Sequence, residues 1–265
     1  MRLKITHETS YTYDEPVKYA LQQVRLTPTD NPQQRVLNWS VTIDGGAAEL
    51  EFVDQHKNHT LLVSVEPGRE EVRVTASGEV ETHDTAGILG KTYGAVPLWH
   101  FRQSTRRTDP GRKIAKLSKL IGATDNQLND LHTLSREILK SVPYGKGGTF
   151  VGTTAEEALT AGVGVCQDHA QIFISAARKS GIPARYVSGY LMMNDRVEQD
   201  ASHAWAEAHL DDLGWVGFDV SNGISPDERY VRLATGLDSR DAAPISGIRR
   251  GPSTESMIVS VQVQQ

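Results

Sequence analysis

The chain has 265 residues, 38% hydrophobic and 23% charged, with a formal net charge of −5. This composition is typical of a soluble protein with one large or two ordinary domains, and the negative charge argues against nucleic acid as a partner. No apolar run approaches the roughly 18–20 residues that span a bilayer, and the first residues lack a signal-peptide pattern. We therefore expect a cytoplasmic protein without a membrane partner.

About the first 85 residues alternate apolar and polar side chains, which is typical of β-strands. The alternation is clear at 36–43, 61–65 and 72–75, and turn sequences stand at 44–46 and 67–68. This pattern predicts an antiparallel β module with one face in solvent.

Helical spacing replaces the alternation in the middle of the chain. Thr124 is the expected N-cap of a helix that Pro143 ends. Further along, Thr154 and Glu157 have the spacing of a capping box, which predicts a short helix to Leu159.

Gly162 and Gly164 end that short helix, and a second helix is expected to begin at or beside Cys166 and to end at Gly181. More alternating runs follow, which predict three strands and a final strand at 186–193, 202–210, 215–220 and 257–263.

Cys166 is the only cysteine, so no intramolecular disulfide can form. At a helix N-terminus, free backbone N–H groups and the helix dipole favour the nucleophilic thiolate. The same N–H groups point to where an oxyanion would form, and the two nearby glycines would let a substrate approach. A cysteine that only fills space in a core needs none of these features. The pattern therefore indicates a catalytic nucleophile.

A thiolate nucleophile needs a general base, and the base needs an orienting carboxylate. His203 begins one predicted strand and Asp219 lies on the next. In a hairpin the residue numbers of every pair have the same sum. If residue 211 paired with 214, this sum would be odd, and the side chains of His203 and Asp219 would face opposite sides of the sheet. We therefore predict a three-residue loop or a bulge within 211–214.

The other histidines do not form a plausible metal site. His203 and His209 share a strand face but lie about 20 Å apart. His56 and His59 fall in a polar loop. With a single cysteine and no second clustered pair, neither a zinc site nor a cofactor is expected.

Several residues near the candidate nucleophile have simpler structural interpretations. Asp168 is favoured as a cap of the cysteine helix, with a role in positioning the site as the alternative. His169 and Arg185 are interpreted as structural, the latter with a buried ion pair. Tyr144 is expected in the core with its hydroxyl bonded. Tyr144 or Gln167 as a second oxyanion donor is the weaker alternative.

Four motifs carry a family resemblance. They are GVGVCQDHA, GIPARYVSGYL, SHAWAEAHL and GWVGFDVSN, and together they resemble the bacterial transglutaminase-like superfamily, whose core is related to papain-like cysteine peptidases. Upstream, VKYALQQVRLTPTDNPQQRVLNWSVTIDG resembles the β-rich N-terminal region of these proteins, and ERYVRLATGLDSRDAAPISG resembles their C-terminal extension.

The resemblance implies an α+β fold. Residues 1–90 would form the β-rich N-terminal region, and residues 91–265 a core in which the cysteine, at a helix N-terminus, packs on an antiparallel sheet. The family's nucleophile, base and orienting acid fall on Cys166, His203 and Asp219. Many relatives have an aromatic residue at the position of His169 and a histidine at that of Gln171. These departures do not involve the triad, and they leave the substrate preference open.

These residues predict an enzyme whose cysteine nucleophile forms an acyl-enzyme thioester with a peptide or protein amide. The resemblance implies that this enzyme is an amide hydrolase. Transglutaminase-type transfer of the acyl group to an amine is the alternative, since both reactions share the thioester. A non-catalytic protein-binding module is the alternative from another class, and the presence of all three triad residues argues against it.

Overall fold

The structure is a computed structural model and describes residues 1–91, 96–251 and 254–265. In these ranges, antiparallel strands form three sheets. The α-helices pack on the sheet that contains residues 184–191 and 203–210, which is called the third sheet below. The longest of these helices has 15 residues, and none within the described ranges is both long and apolar enough to span a bilayer.

The N-terminal part is built from strands, as predicted. Every second side chain of the first strand is buried, which matches the alternation in its sequence. The strands are β1 (Arg2–Tyr13), β2 (Tyr19–Thr27), β3 (Gln34–Asp44), β4 (Gly46–Val53), β5 (His59–Val65) and β6 (Glu71–Thr82). The sequence analysis missed β2 and β4. Polar Gln22 and Arg25 are buried in β2, and nearly all of β4 is exposed, so neither strand shows a clean alternation.

The helices lie between the short strand β7 (Ile88–Gly90) and the later strands. A 3-10 turn at Leu98–Arg102 precedes them, and a second one at Ser118–Leu120 follows the first helix. The α-helices are α1 (Arg112–Leu117), α2 (Gln127–Ser141), α3 (Ala155–Ala161) and α4 (Cys166–Lys179).

Two of the helix starts test the predicted caps. At α3 the capping box is confirmed, since Thr154 accepts from the Glu157 backbone while Glu157 accepts from that of Thr154. At α2 the prediction was wrong, because Asn126 is the cap and Thr124 donates its hydroxyl to Asp130 at 2.8 Å. Threonine and asparagine are both good N-caps, so sequence alone did not separate two positions this close.

The third sheet has the order β12-β8-β10-β11-β7. Its remaining members are β8 (Ala184–Leu191), β10 (His203–Leu210), β11 (Gly214–Phe218) and β12 (Tyr230–Gly236), and the two-residue β9 (Glu198–Gln199) joins another sheet. The predicted strands at 186–193, 202–210 and 215–220 correspond to β8, β10 and β11, with ends that differ by up to two residues.

The β10–β11 hairpin confirms the predicted three-residue loop. Leu210 pairs with Gly214 and Glu207 with Gly217, so the partner numbers sum to an even value. Gly214 has a φ of +76°, and a Cβ there would lie 2.2 Å from the backbone of Gly90. The loop therefore needs glycine at its end, and the register places His203 and Asp219 on one face.

The C-terminal strands return to the first part of the chain. β13 (Ile245–Arg250) pairs with β2, and β14 (Glu255–Gln264) lies between β1 and β9. The resulting sheets have the orders β3-β6-β1-β14-β9 and β13-β2-β5-β4. The domain boundary at residue 90 remains a prediction. Residues 245–250 and 255–264, which lie after this boundary, hydrogen-bond with strands of the N-terminal part.

One hydrophobic core fixes the site. Helix α4 packs on β10, and Phe173 of α4 stacks on Phe218 of β11 with ring centroids 4.8 Å apart. Both rings are buried. Because the helix that begins at Cys166 is packed on the strand pair that precedes Asp219, the core sets the distance between them.

Candidate active site

Cys166 is the first residue of α4, as predicted, and its side chain is half-buried against the core. Val165 before it is extended and serves as the N-cap residue. Gly162 ends α3 in the left-handed conformation at φ +70°. A Cβ on Gly164 would lie 2.9 Å from the Cβ of Asp168. Both glycines thus have a local structural role in placing the cysteine at the helix start.

Asp168 caps this helix, as predicted. Its carboxylate accepts the backbone N–H of Val165 at 2.9 Å and the hydroxyl of Thr149 at 2.6 Å. Only half of a capping box is present, because the valine side chain has no polar atom to offer in return. The buried carboxylate therefore fixes the turn that presents Cys166.

His203 lies at the start of β10 and contacts Asp219 just beyond the end of β11. The distance between His203 Nε2 and Asp219 Oδ2 is 2.6 Å, and both side chains are buried. The ring of His203 also stacks on that of Trp205, with centroids 6.3 Å apart. Since Nε2 is occupied by the carboxylate, Nδ1 is the nitrogen available to a nucleophile.

Two residues that the sequence analysis missed hold Asp219. The side-chain amide of Asn222 and the hydroxyl of Tyr230 each donate to Oδ2 at 2.7 Å. Asn222 closes the motif GWVGFDVSN, so its place in that motif was the available signal. Tyr230 lies on β12, and nothing in the sequence links it to the carboxylate.

The charges of the site favour an ion pair. Burial acts to lower the pKa of His203. The charge and hydrogen bond of Asp219, followed by the hydrogen bond and charge of Cys166, outweigh it and raise that pKa to about 10. Burial acts to raise the pKa of Asp219, and the charge of His203 with the surrounding donors holds it below its usual range. At neutral pH the site therefore contains an imidazolium paired with a carboxylate, and the Cys166 side chain interacts with the imidazolium.

His169 is a structural histidine, as predicted. Its Nε2 donates to the carbonyl of Val142 at 2.7 Å, so its Nδ1 accepts the hydroxyl of Ser221 at 2.8 Å. Burial lowers the pKa of His169, which agrees with a neutral ring. The ring thereby connects α4 to the turn that carries Asn222.

The prediction for Tyr144 was wrong. It does not lie in the core but is 53% exposed, because it follows Pro143 on a loop whose backbone forms a bridge with Gly164. Gln167, the other weak candidate for an oxyanion donor, directs its side-chain amide to the carbonyl of Val151 at 3.3 Å.

The described residues contain no group of three or more His, Cys, Asp or Glu side chains placed to hold a metal ion. His56 instead pairs with Asp241 at 2.8 Å, and His59 pairs with Glu51 at 2.6 Å. Arg185 forms the expected buried ion pair, with Glu207.

Replacing Tyr230 with phenylalanine should lower the free energy of unfolding at pH 7 by about 1.5–3 kcal/mol, the usual size for a buried hydrogen bond to a charged group. The ring and its contact with Trp205 remain, so the change isolates the bond to Asp219. Urea denaturation measures the effect. Tyr190→Phe is the matched control, since its hydroxyl bonds the buried, neutral His7 and its loss should cost only about 1 kcal/mol. Equal losses in the two variants would contradict a charged Asp219.

The pKa of His203 also predicts how stability changes with pH. Because the folded value of about 10 lies above the usual 6.5, the stabilisation is complete below about pH 6.5 and is lost as the pH rises towards 10. The difference in unfolding free energy between wild type and His203→Gln should therefore shrink from pH 6 to pH 9.5. A difference that stays constant or grows over this range would show that the histidine is neutral in the folded protein.

The chain is similar to known proteins over most of its length. The transglutaminase-like superfamily matches residues 115–220, and the bacterial transglutaminase-like N-terminal region matches residues 3–81. Uncharacterized protein ML0607 of Mycobacterium leprae is 26% identical and covers 99% of this chain and 98% of its own. Uncharacterized protein Rv2569c of Mycobacterium tuberculosis is 29% identical, over 99% of this chain and 92% of the relative.

A solved structure, named "Putative Cysteine Protease from Cytophaga hutchinsonii", has a TM-score of 0.77 at 24% identity and covers 100% of this chain and 91% of its own. This likeness shows that the two chains share their fold, an α+β arrangement with a β-rich N-terminal region. The two sequence matches show that the chain combines a core of the transglutaminase-like superfamily with the bacterial transglutaminase-like N-terminal region.

Proposed function

We propose that the protein is a cysteine-nucleophile amide hydrolase, a peptidase or isopeptidase, in which Cys166, His203 and Asp219 form the catalytic triad. The observation that carries the proposal is the buried pair of His203 and Asp219, 2.6 Å apart, in which Cys166 also acts on the histidine and raises its pKa. A histidine needed only for packing would gain nothing from a charged partner on one side and a thiol on the other.

In the first step the thiolate of Cys166 attacks the carbonyl carbon of the amide. The C–N bond then breaks, the imidazolium of His203 gives its proton to the leaving amine, and a thioester forms. Asp219 stabilises the imidazolium and fixes the ring, and it keeps its own charge throughout. The backbone N–H at the start of α4 is suited to bind the oxyanion.

In the second step a water molecule attacks the thioester, with His203 as the base that takes its proton. The C–S bond breaks, which releases the carboxylic acid and restores the thiolate and the imidazolium. An amine in place of water would give acyl transfer from the same thioester. Hydrolysis is our proposal, and transfer is an outcome that the following experiment distinguishes.

The test is incubation of a proteome-derived peptide library, with and without added cadaverine, with wild type and with Cys166→Ser. Peptides shortened by wild type alone would support hydrolysis, and cadaverine adducts formed by wild type alone would replace hydrolysis by acyl transfer. If neither protein changes any peptide, but wild type and Cys166→Ser bind library peptides equally well, a non-catalytic binding module becomes the better explanation.

A further inference from the structure

Large apolar side chains are exposed in a single loop beside Cys166. The loop covers residues 143–152, between α2 and α3, and is called the rim loop below. In it Tyr144 is 53% exposed, Phe150 75% and Val151 71%. Apolar groups clustered on a surface in this way are typical of a binding site.

The rim loop is fixed to the helix start that carries the cysteine. The backbone N–H of Gly145 donates to the carbonyl of Gly164 at 2.8 Å, and Thr149 donates to Asp168 at 2.6 Å. The side chain of Val163 fills the space beside Gly145, where a Cβ would lie only 2.6 Å from it. These contacts hold the exposed side chains at a set distance from Cys166, so the loop forms a wall of the site.

A second segment, residues 196–200, interacts with the rim loop. Lys146 of the loop pairs with Asp200 at 3.2 Å, and the charge of Arg196 acts on the hydroxyl of Tyr144. Val197, in the same segment, is exposed. Lys146 and Asp200 are both largely exposed, so their ion pair is weak. The most exposed apolar side chains of the rim loop, Phe150 and Val151, lie at the other end of the loop.

The chemistry of the site decides which part of a substrate meets the rim loop. The leaving amine must face His203, because that ring protonates it. The acyl part of the substrate therefore extends away from His203, along residues 163–165 that precede the cysteine. The end of the rim loop that carries Phe150 and Val151 lies beside this segment, because the side-chain amide of Gln167 donates to the carbonyl of Val151 at 3.3 Å. The Lys146 end instead reaches Asp200, near His203.

We propose, on the basis of the proposed hydrolase function, that the rim loop binds an apolar or aromatic side chain on the acyl side of the scissile amide. Phe150 and Val151 then determine substrate specificity. Burial of one large apolar side chain against them favours such a substrate over an acidic one by at least about tenfold.

Two chloromethyl ketones test this, N-acetylphenylalanyl and N-acetylaspartyl, which differ only in the side chain next to the reactive group. Their rates of alkylation of Cys166 are measured by intact mass, and each is divided by the iodoacetamide rate of the same protein. Wild type should prefer the phenylalanyl reagent by at least about tenfold. The double variant Phe150→Ser, Val151→Ser should reduce this preference to below about threefold, and Phe150→Leu should keep most of it.

Leu50→Ser is the matched control, because Leu50 is 55% exposed on β4, outside the site, and this variant should keep the full preference. If wild type reacts rapidly with iodoacetamide but shows no preference, or if the double variant keeps the preference, the rim-loop proposal is wrong while the hydrolase proposal stands. If wild type reacts with iodoacetamide no faster than the urea-unfolded protein does, the hydrolase proposal fails and the specificity proposal fails with it.

Discussion

Replacing His203 with alanine should slow the alkylation of Cys166 by iodoacetamide at pH 6 by at least about tenfold. In the proposed triad the charged ring of His203 interacts with the Cys166 side chain, and a neighbouring cation promotes the reactive form of a cysteine. At an effective dielectric constant of 20, opposite charges 4 Å apart attract by about 4 kcal/mol, so even a fraction of this interaction accounts for a tenfold effect. Because the chain has one cysteine, intact mass reports a single adduct without ambiguity.

The matched control is His209→Ala, since His209 lies on the same strand six residues further along and is equally buried. Its loss should change the alkylation rate by less than about twofold, because the ring packs against Trp215 and lies about 20 Å along the strand from His203. Above pH 9 the wild type and His203→Ala should converge, as an ordinary thiol ionises by itself. Equal rates for the two proteins at pH 6 would mean that His203 does not activate the sulfur.

The local part of this site could be predicted from the sequence. A lone cysteine after two glycines indicates a helix start, and the side-chain parity of the two strands predicts the loop of the β10–β11 hairpin. Both arguments depend only on short-range rules, the helix terminus and the period of two in a strand. The pairing of Leu210 with Gly214 satisfies the second of them.

What the sequence could not predict depends on contacts between distant residues. Tyr230 reaches Asp219 from β12 only because β12 pairs with β8, and β8 in turn with β10. The pairing partner of β14 could not be predicted either, because Val263 pairs with Ile5 at the opposite end of the chain. The exposed position of Tyr144 was missed for a related reason, because an aromatic residue after a helix is usually part of a core.

The hydrogen bonds of the site indicate how the third sheet contributes to the proposed chemistry. Asp219 is held from β12 by Tyr230 and from its own turn by Asn222. His203 is the first residue of β10, opposite Gly189 of β8. The distance between His203 and Asp219 therefore depends on the register of three neighbouring strands, and whatever fixes that register also positions the candidate base.

Glu207 connects the three strands whose register positions His203. It lies on β10, is completely buried, and pairs with Arg185 of β8 at 2.5 Å and Arg232 of β12 at 3.1 Å. Burial acts to raise the pKa of the Glu207 carboxyl, and the two guanidinium charges hold that pKa below its usual range. Arg185 also lies over the ring of Trp215 at 3.9 Å. A shift of one residue would turn the glutamate to the other face of the sheet and leave both arginines without their carboxylate.

Replacing Glu207 with glutamine should therefore lower the free energy of unfolding by about 3–5 kcal/mol, because two arginines are left without a buried counter-charge. Urea denaturation at pH 7 measures the loss. Glu81→Gln is the matched control. It breaks an ion pair of similar length, 2.8 Å to Arg35, between side chains that are 36% and 64% exposed, and it should cost less than about 1 kcal/mol.

Because the same change loosens the register around His203, Glu207→Gln should also slow the alkylation of Cys166 under conditions in which the variant is still folded, while Glu81→Gln should not. A stability loss below about 1 kcal/mol for Glu207→Gln would mean that water or a shifted arginine replaces the carboxylate, and that apolar packing alone sets the strand register. A full loss of stability with an unchanged alkylation rate would separate the two roles, and would leave Asn222 and Tyr230 as the groups that position the candidate triad.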